Sequence, residues 1–414
     1  MAKGLSFFGI SSIFIKASAF FIAYIAMKEL KPELYGAWTL LSPILIYSFL
    51  FAFGTPSAMS RQIPIIKGRG ENEKIPEIYG VTFFVMFCSA IAACVIAVIG
   101  LEYLWKYQDL YKIMASVVLL IFSYNFNLYV QSYCRSNDRF DLLSKGGVLQ
   151  AVIYLLFSAT GIFYAGLVGF IVGQSAAFFV SALFVVWLGN IKLFFRRNSK
   201  VFLQLAKDGL PFALISLSSV LFEVVDRLII WLMISVESVG FYGLSMIVHS
   251  IIVMVPTLLS QFFYPKMARE YGRDSFVSVR AFHAKNVRAN LVSSAAIPVS
   301  VLLTGMWLVP IFLPDYVSGL PAMYINILAA SIFSIGLPWG TLLLMYGSHK
   351  IRLKIIFVSL LINAILGVSA VLFGLGIEGV AVATLASSII MTIWLFIVAR
   401  KYLSKSELLN EVIN

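Results

Sequence analysis

Apolar residues in this chain gather into blocks near positions 7–27, 36–60, 79–100, 113–131, 146–164, 167–189, 210–233, 239–263, 289–313, 321–346, 355–374 and 378–399. Each block can cross the hydrocarbon core of a bilayer as a helix, which takes about twenty residues. The pattern predicts an all-α integral membrane protein of about twelve transmembrane helices. The opening block ends in Lys28-Glu29-Leu30-Lys31 with no small-x-small cleavage site. It exceeds the apolar core of a signal peptide, so it reads as an uncleaved first helix.

The two halves echo each other. Tyr35-Gly36-Ala37-Trp38 opens the second block and Val239-Gly240-Phe241-Tyr242 the eighth, while Gly166-Leu167-Val168-Gly169 and Gly376-Ile377-Glu378-Gly379 open the sixth and twelfth. Six crossings per half start both halves on the same side, so the repeat is parallel, about a pseudo-twofold axis along the membrane normal. The predicted organisation is an N-terminal lobe over 1–189, an amphipathic linker over 190–209, a C-terminal lobe over 210–400 and a tail over 401–414. The linker mixes Phe194, Phe195 and Phe202 with basic residues and is expected to lie on the inner leaflet.

Composition agrees with the pattern: 61% of the 414 residues are hydrophobic against 12% charged, and mean hydropathy is +0.95. The net charge of +12 raises the question of nucleic acid, but topology accounts for it. Only Lys28, Lys31, Lys106 and Lys112 fall in one set of alternate loops, and only Lys16 and Arg227 within blocks; the other Lys and Arg residues occupy the opposite set. By the positive-inside rule both termini face the cytoplasm, and no nucleic-acid partner is expected. The three cysteines show neither a disulfide pattern nor metal-ligand spacing. No catalytic pair stands out, and the outer loops are short for an enzyme working on that face.

The candidate chemistry lies inside the blocks. Ser216, Ser219, Glu223, Asp226 and Arg227 recur at helical spacing in the seventh block. Glu223 and Arg227 stand in the favourable order for an i,i+4 pair. An ionisable residue at membrane depth costs roughly 2.5–3.5 kcal/mol on insertion scales and normally faces a wet cavity or the protein interior. The repeat maps Lys16 onto positions 220–226, so a shared chamber is expected in which Lys16 meets the acids of the seventh helix. Asn125, Asn127 and Gln131 read as interhelical hydrogen-bonding groups, and His249 as a satisfied interhelical histidine.

Several short pieces occur in a definite order: Leu34-Tyr35-Gly36-Ala37-Trp38, Phe53-Gly54-Thr55-Pro56, Ser60-Arg61-Gln62-Ile63, Gln131-Ser132-Tyr133-Cys134-Arg135 with Arg139-Phe140, Gly209-Leu210-Pro211-Phe212, Asp226-Arg227-Leu228-Ile229-Ile230 and Val239-Gly240-Phe241-Tyr242-Gly243. Their order and spacing resemble the Wzx-type polysaccharide flippases of the multidrug/oligosaccharidyl-lipid/polysaccharide exporter (MOP) superfamily. The resemblance implies two six-helix lobes in a V around a central cavity, working by alternating access. It implies a transporter, not an enzyme, in a bacterial inner membrane, moving a polyprenyl-pyrophosphate-linked oligosaccharide such as an O-antigen or capsule repeat unit to the outer leaflet. Lys16, Arg61, Arg135, Arg139 and Arg227 would then hold the pyrophosphate, with Glu223 and Asp226 as sites for a coupling H+ or Na+. Transport driven only by glycan polymerisation on the far side is equally compatible. Tyr24, Tyr47 and Trp231 are candidates to stack on sugars. Membrane lipids and glycan polymerase machinery are the implied partners. The alternative is a proton- or sodium-coupled multidrug or metabolite antiporter of the related branch, against which a deep lysine argues, because that branch usually exports cations.

Overall fold

A computed structural model describes residues 2–104, 109–271, 273 and 276–413. Helices account for nearly all of it, as expected where lipid offers the backbone no hydrogen-bonding partner. In chain order they are α1 (Ala2–Leu41), α2 (Ile44–Leu50), α3 (Thr55–Gly68), α4 (Ile75–Leu104), α5 (Leu110–Ser136), α6 (Phe140–Ile153), α7 (Ala159–Gly189), α8 (Ser199–Met233), α9 (Val236–Tyr271), α10 (Phe276–Phe312), α11 (Leu320–Met345), α12 (His349–Leu372) and α13 (Gly376–Ile413). Among the described residues, eight helical stretches are long and apolar enough to cross a membrane.

The twelve-crossing layout fits once the breaks are counted. α1 breaks at Lys31 (φ 61°), ahead of Pro32. The second block is interrupted at Pro43 and again at Phe53 and Gly54, both with positive φ, so it becomes α2 and α3. The stretch Phe140–Gly189, too long for one crossing, passes through a π-helical turn at Tyr154–Ser158 and reverses at Ala165 and Gly166. Exposed apolar side chains such as Ile91, Val95 and Ile99 on α4, or Val292, Val299 and Leu303 on α10, present the hydrocarbon-facing surface a membrane helix needs.

The chain forms two compact units. The first holds Met1–Lys31 and Leu41–Val220; the second holds Pro32–Leu40 and Leu221–Asn414. The division in the second half of the chain therefore falls within α8, and the connection before α8 groups with the first unit. That connection is not a surface helix. Residues 191–198 run extended, the Arg196 amide donates to the Gly80 carbonyl at 3.3 Å, and Phe195 sets its ring against Phe83, Phe84 and Phe87. Its end is fixed by Asn198, whose Oδ1 accepts from the amides of Lys200 and Val201 and whose Nδ2 donates to Glu77. This is an N-cap that satisfies otherwise orphaned donors of α8.

The first unit packs around Met59, Ile63, Met86, Tyr129 and Leu205. Polar side chains tie its helices together as expected: Asn125 donates to Ser48, and Asn127 to Ser181 and the Phe178 carbonyl. Such contacts contribute roughly 0.6–2 kcal/mol each between membrane helices. The second unit has one cluster around Ile229, Ile230, Tyr242 and Val380, with Leu40 and Trp231 packed against it. Another, around Leu342, Leu343 and Ile355, lies toward the other end of α11 and α12.

The glycines that mark the repeat explain how Pro32–Leu40 enters the second unit. A Cβ on Gly36 would collide with the Val236 carbonyl and approach the Gly240 amide to 2.8 Å, and one on Gly240 would collide with the Pro32 carbonyl. Two backbones meet there at a distance only glycine permits. Gly36→Val is accordingly expected to destabilise the protein by about 1–3 kcal/mol, as overpacking does. Gly100, where an added Cβ would meet nothing within 4 Å, is expected to accept alanine with little change; thermal unfolding of both variants in detergent checks the contrast.

Candidate functional site

In the second unit α8 carries Asp226 into the interior, where 4% of the residue is exposed. An isolated carboxylate there would be prohibitive, and the neighbouring helices supply donors. Asn363 of α12 donates to Oδ1 at 2.8 Å; Thr384 of α13 and Tyr242 of α9 each donate to Oδ2 at 2.7 Å. The Tyr242 hydroxyl in turn accepts from Asn326 of α11 at 3.1 Å. Five helices thus converge on one carboxylate through charge-assisted bonds, which are roughly twice as strong as neutral ones.

Beside this network lies a cavity of about 60 Å³, bordered by Phe222, Asp226, Tyr242, Ser245, His249 and Thr384. A single water needs roughly 10–15 Å³ by this measure, so there is room for a water or a small cation. Asn363 Oδ1 and Ser245 Oγ are buried without a hydrogen-bond partner. Ser245 Oγ, with the Asp226 carboxylate and the Tyr242 and Thr384 hydroxyls on the same cavity wall, makes an oxygen-rich set suited to a hard cation or a proton. Among the described residues no three His, Cys, Asp or Glu side chains are grouped to hold a metal ion.

A second, chemically opposite pocket lies in the first unit. It has a volume of about 280 Å³ and is bordered by α1, α5, α6 and α7, with Lys16, Gln131, Arg135 and Gln150 among its polar wall residues and, among the described residues, no acid. Arg135 is held along α5: its Nη2 donates to Gln131 Oε1 at 3.1 Å, and Gln131 Nε2 donates to Asn127 Oδ1 at 2.6 Å. Asn127 completes the relay to Ser181 on α7. Gly146 and Gly147 of α6 keep the wall low; a Cβ on Gly147 would sit 2.9 Å from the Ile15 side chain. Two cations without an acid make a receptor for an anion, with Arg able to offer a bidentate fork and Lys a point charge.

The predicted residues are therefore distributed as follows. Lys16 and Arg135 share the first-unit pocket, whereas Asp226 is described within the second unit. Arg61 is exposed on α3, and Arg139, also exposed, lies 3.6 Å from Asp141. Arg227 is 6% exposed and donates from Nη1 to the Thr39 carbonyl at 2.7 Å. It ties the Pro32–Leu40 segment into the second unit and does not border either pocket. The side chains of Ser216, Ser219 and Glu223 lie outside the described residues. His249 stacks near Phe333, with 5.6 Å between ring centres, and Trp231 packs in the apolar cluster.

Sequence reasoning missed Asn326, Asn363 and Thr384, which stand among scattered serines and threonines inside long apolar blocks. It noted Tyr242 only as part of a repeat. The available signal was their depth: each sits where a polar group must find a partner within the protein.

Comparison with known proteins follows the same lines. A family model described as polysaccharide biosynthesis protein matches residues 1–271. No protein of curated function matches the sequence. Among solved structures, the chain resembles an inward-facing multidrug resistance MATE family transporter of the MOP superfamily, with 14% identity, 94% of each chain covered and a TM-score of 0.83. It resembles an outward-facing MATE transporter at a TM-score of 0.67, with 14% identity over 98% of this chain and 96% of that one. The lipid II flippase MurJ in an inward closed conformation matches at 0.76, with 15% identity over 97% of this chain and 90% of that one. These likenesses show the fold.

Removing one donor from the Asp226 network leaves a buried charge short of a partner, which costs about 1–3 kcal/mol. Tyr242→Phe and Thr384→Val are each expected to lower stability by that order. Because both serve the same oxygen, the double variant should depart from additivity, and a double-mutant cycle of thermal unfolding checks it.

Proposed function

The chain belongs to the polysaccharide biosynthesis protein family, and from that premise we propose that it is a flippase for a polyprenyl-pyrophosphate-linked oligosaccharide. The substrate is an O-antigen or capsule repeat unit, carried from the inner to the outer leaflet of a bacterial inner membrane by alternating access, with both termini cytoplasmic. It hands its product to glycan polymerase machinery. The multi-pass helical fold and its likeness to MATE transporters and MurJ support the transporter class.

The observation that carries the reading is the acid-free pocket holding Lys16 and Arg135. A pyrophosphate and several sugars cannot cross hydrocarbon unaided, since each unsatisfied polar group there costs several kcal/mol. A protein that moves them must offer cations to the diphosphate and hydrogen-bonding groups to the sugars. Lys16 and the Gln131-braced Arg135 answer the first need; Gln150 and Ser181, on the same wall, answer the second. Arg61, exposed on α3, and Arg139, exposed just before α6, would meet the headgroup on its approach. An antiporter for organic cations would require acids in this pocket instead.

Asp226 is the coupling site in this reading. When bound, Na+ would supply positive charge to the carboxylate, with Ser245, Thr384 and Tyr242 offering further oxygens; a proton would meet the same need by neutralising Asp226. Either event weakens the donors' hold on the carboxylate and so connects ion binding to the packing of α8, α9, α12 and α13.

In cells making the cognate glycan, Lys16→Ala and Arg135→Ala are each expected to reduce surface polysaccharide about tenfold at normal protein level, the equivalent of one charge-assisted contact. Full surface glycan in the double variant would remove the pocket from the mechanism. In proteoliposomes carrying a lipid-linked oligosaccharide, Asp226→Asn is expected to abolish the response to an imposed Na+ or H+ gradient. A wild-type rate indifferent to both gradients would show that polymerisation alone drives export.

A further inference from the structure

A further groove in the first unit serves neither pocket above. Its volume is about 430 Å³, and it opens where α2, α4 and the start of α8 meet, within the range of about 300–1,000 Å³ typical of small-molecule sites. Val81, Val85, Ser89 and Ala92 line it at helical spacing along α4, a run of roughly 16 Å at 1.5 Å per residue. Phe51 and Phe84 supply apolar wall. That length is close to half of the roughly 30 Å hydrocarbon core, the depth of a single leaflet.

One end of the groove is different in kind. Arg197 stands there, exposed, with no acidic partner among the described residues. The neighbouring polar group, Asn198, is already engaged in capping α8 and in donating to Glu77. The surrounding connection adds Lys192, Arg196 and Lys200, and no Asp or Glu occurs from Asn190 through Lys207. An apolar slot one leaflet deep that ends at an unopposed guanidinium is complementary to an amphiphile with a single chain inside and an anion at its head.

We infer that this groove is a binding site for an anionic glycerophospholipid of the bilayer, with its phosphate at Arg197 and one acyl chain lying along α4. The occupant holds the extended connection against α4 and so sets the start of α8, the helix that carries Asp226. The site is independent of what the protein transports, and its test does not involve transport.

Cys88 lies on the groove wall and is the exposed cysteine, Cys94 and Cys134 being buried, so thiol labelling reports on occupancy in the unaltered protein. In nanodiscs, phosphatidylglycerol is expected to slow modification of Cys88 by a small maleimide several-fold relative to phosphatidylcholine. Native mass spectrometry should show phosphatidylglycerol retained in preference to phosphatidylcholine. Arg197→Gln is expected to weaken that preference about tenfold, the loss of one charge-assisted contact, while Lys192→Gln should keep it. Ala92→Trp, which fills the slot, should release the bound lipid from a protein that remains monodisperse. Equal protection by the two lipids, an Arg197→Gln variant with unchanged preference, or an equal loss in Lys192→Gln would overturn the site. Displacement of phosphatidylglycerol by a polyprenyl phosphate at lower mole fraction would assign the groove to the transported lipid's tail and refute the inference in this form.

Discussion

A carboxylate in the middle of a membrane protein must be surrounded by donors, and the second unit is built to meet that demand at Asp226. Asn363, Thr384 and Tyr242 reach it from three different helices, and Asn326 supports Tyr242 from a fourth. Apolar contacts between membrane helices are poorly selective, because lipid tails solvate a leucine as well as another leucine does. Directional bonds to a single charge are selective. They fix which faces of α8, α9, α11, α12 and α13 turn inward, and the apolar cluster around Ile230 and Val380 packs on the frame they set.

The same economy of contacts appears at Arg227. One residue beyond Asp226, it donates to a main-chain carbonyl at Thr39 and so fastens a segment from far earlier in the chain. Two adjacent ionisable residues thus have separate tasks, one gathering helices around a small cavity and the other holding Pro32–Leu40 against α8. The first unit shows a complementary arrangement: Asn125 and Asn127 bond to neutral hydroxyl and carbonyl groups, and Lys16 and Arg135 line a pocket with no acid among the described residues.

The crossings were legible because hydrocarbon imposes a length and a composition, and twelve apolar blocks report both directly. The parallel repeat was legible because close backbone approach admits only glycine, which leaves Gly36 and Gly240 as visible markers. The interior roles of Asn125 and Asn127 followed from depth alone. For the site residues the repeat gave an alignment of Lys16 with the turn holding Asp226 and no list of neighbours; within the first unit Lys16 borders a pocket with Arg135. Asn363 and Thr384 were hidden because a polar residue in an apolar block announces that it needs a partner without naming it, and nearby serines announce the same. The extended course of 191–198 was also obscured, since aromatic and basic residues alternate similarly in an interfacial helix and in a chain whose rings dock on α4.

The reversal at Ala165 and Gly166 takes two residues to join crossing segments, and Gly161 faces Gly169 so closely across it that neither can carry a side chain. A turn this short gives an antibody, a phage tail or a protease almost no surface to grip. An affinity tag or epitope inserted at that turn would have to force apart two backbones already in contact.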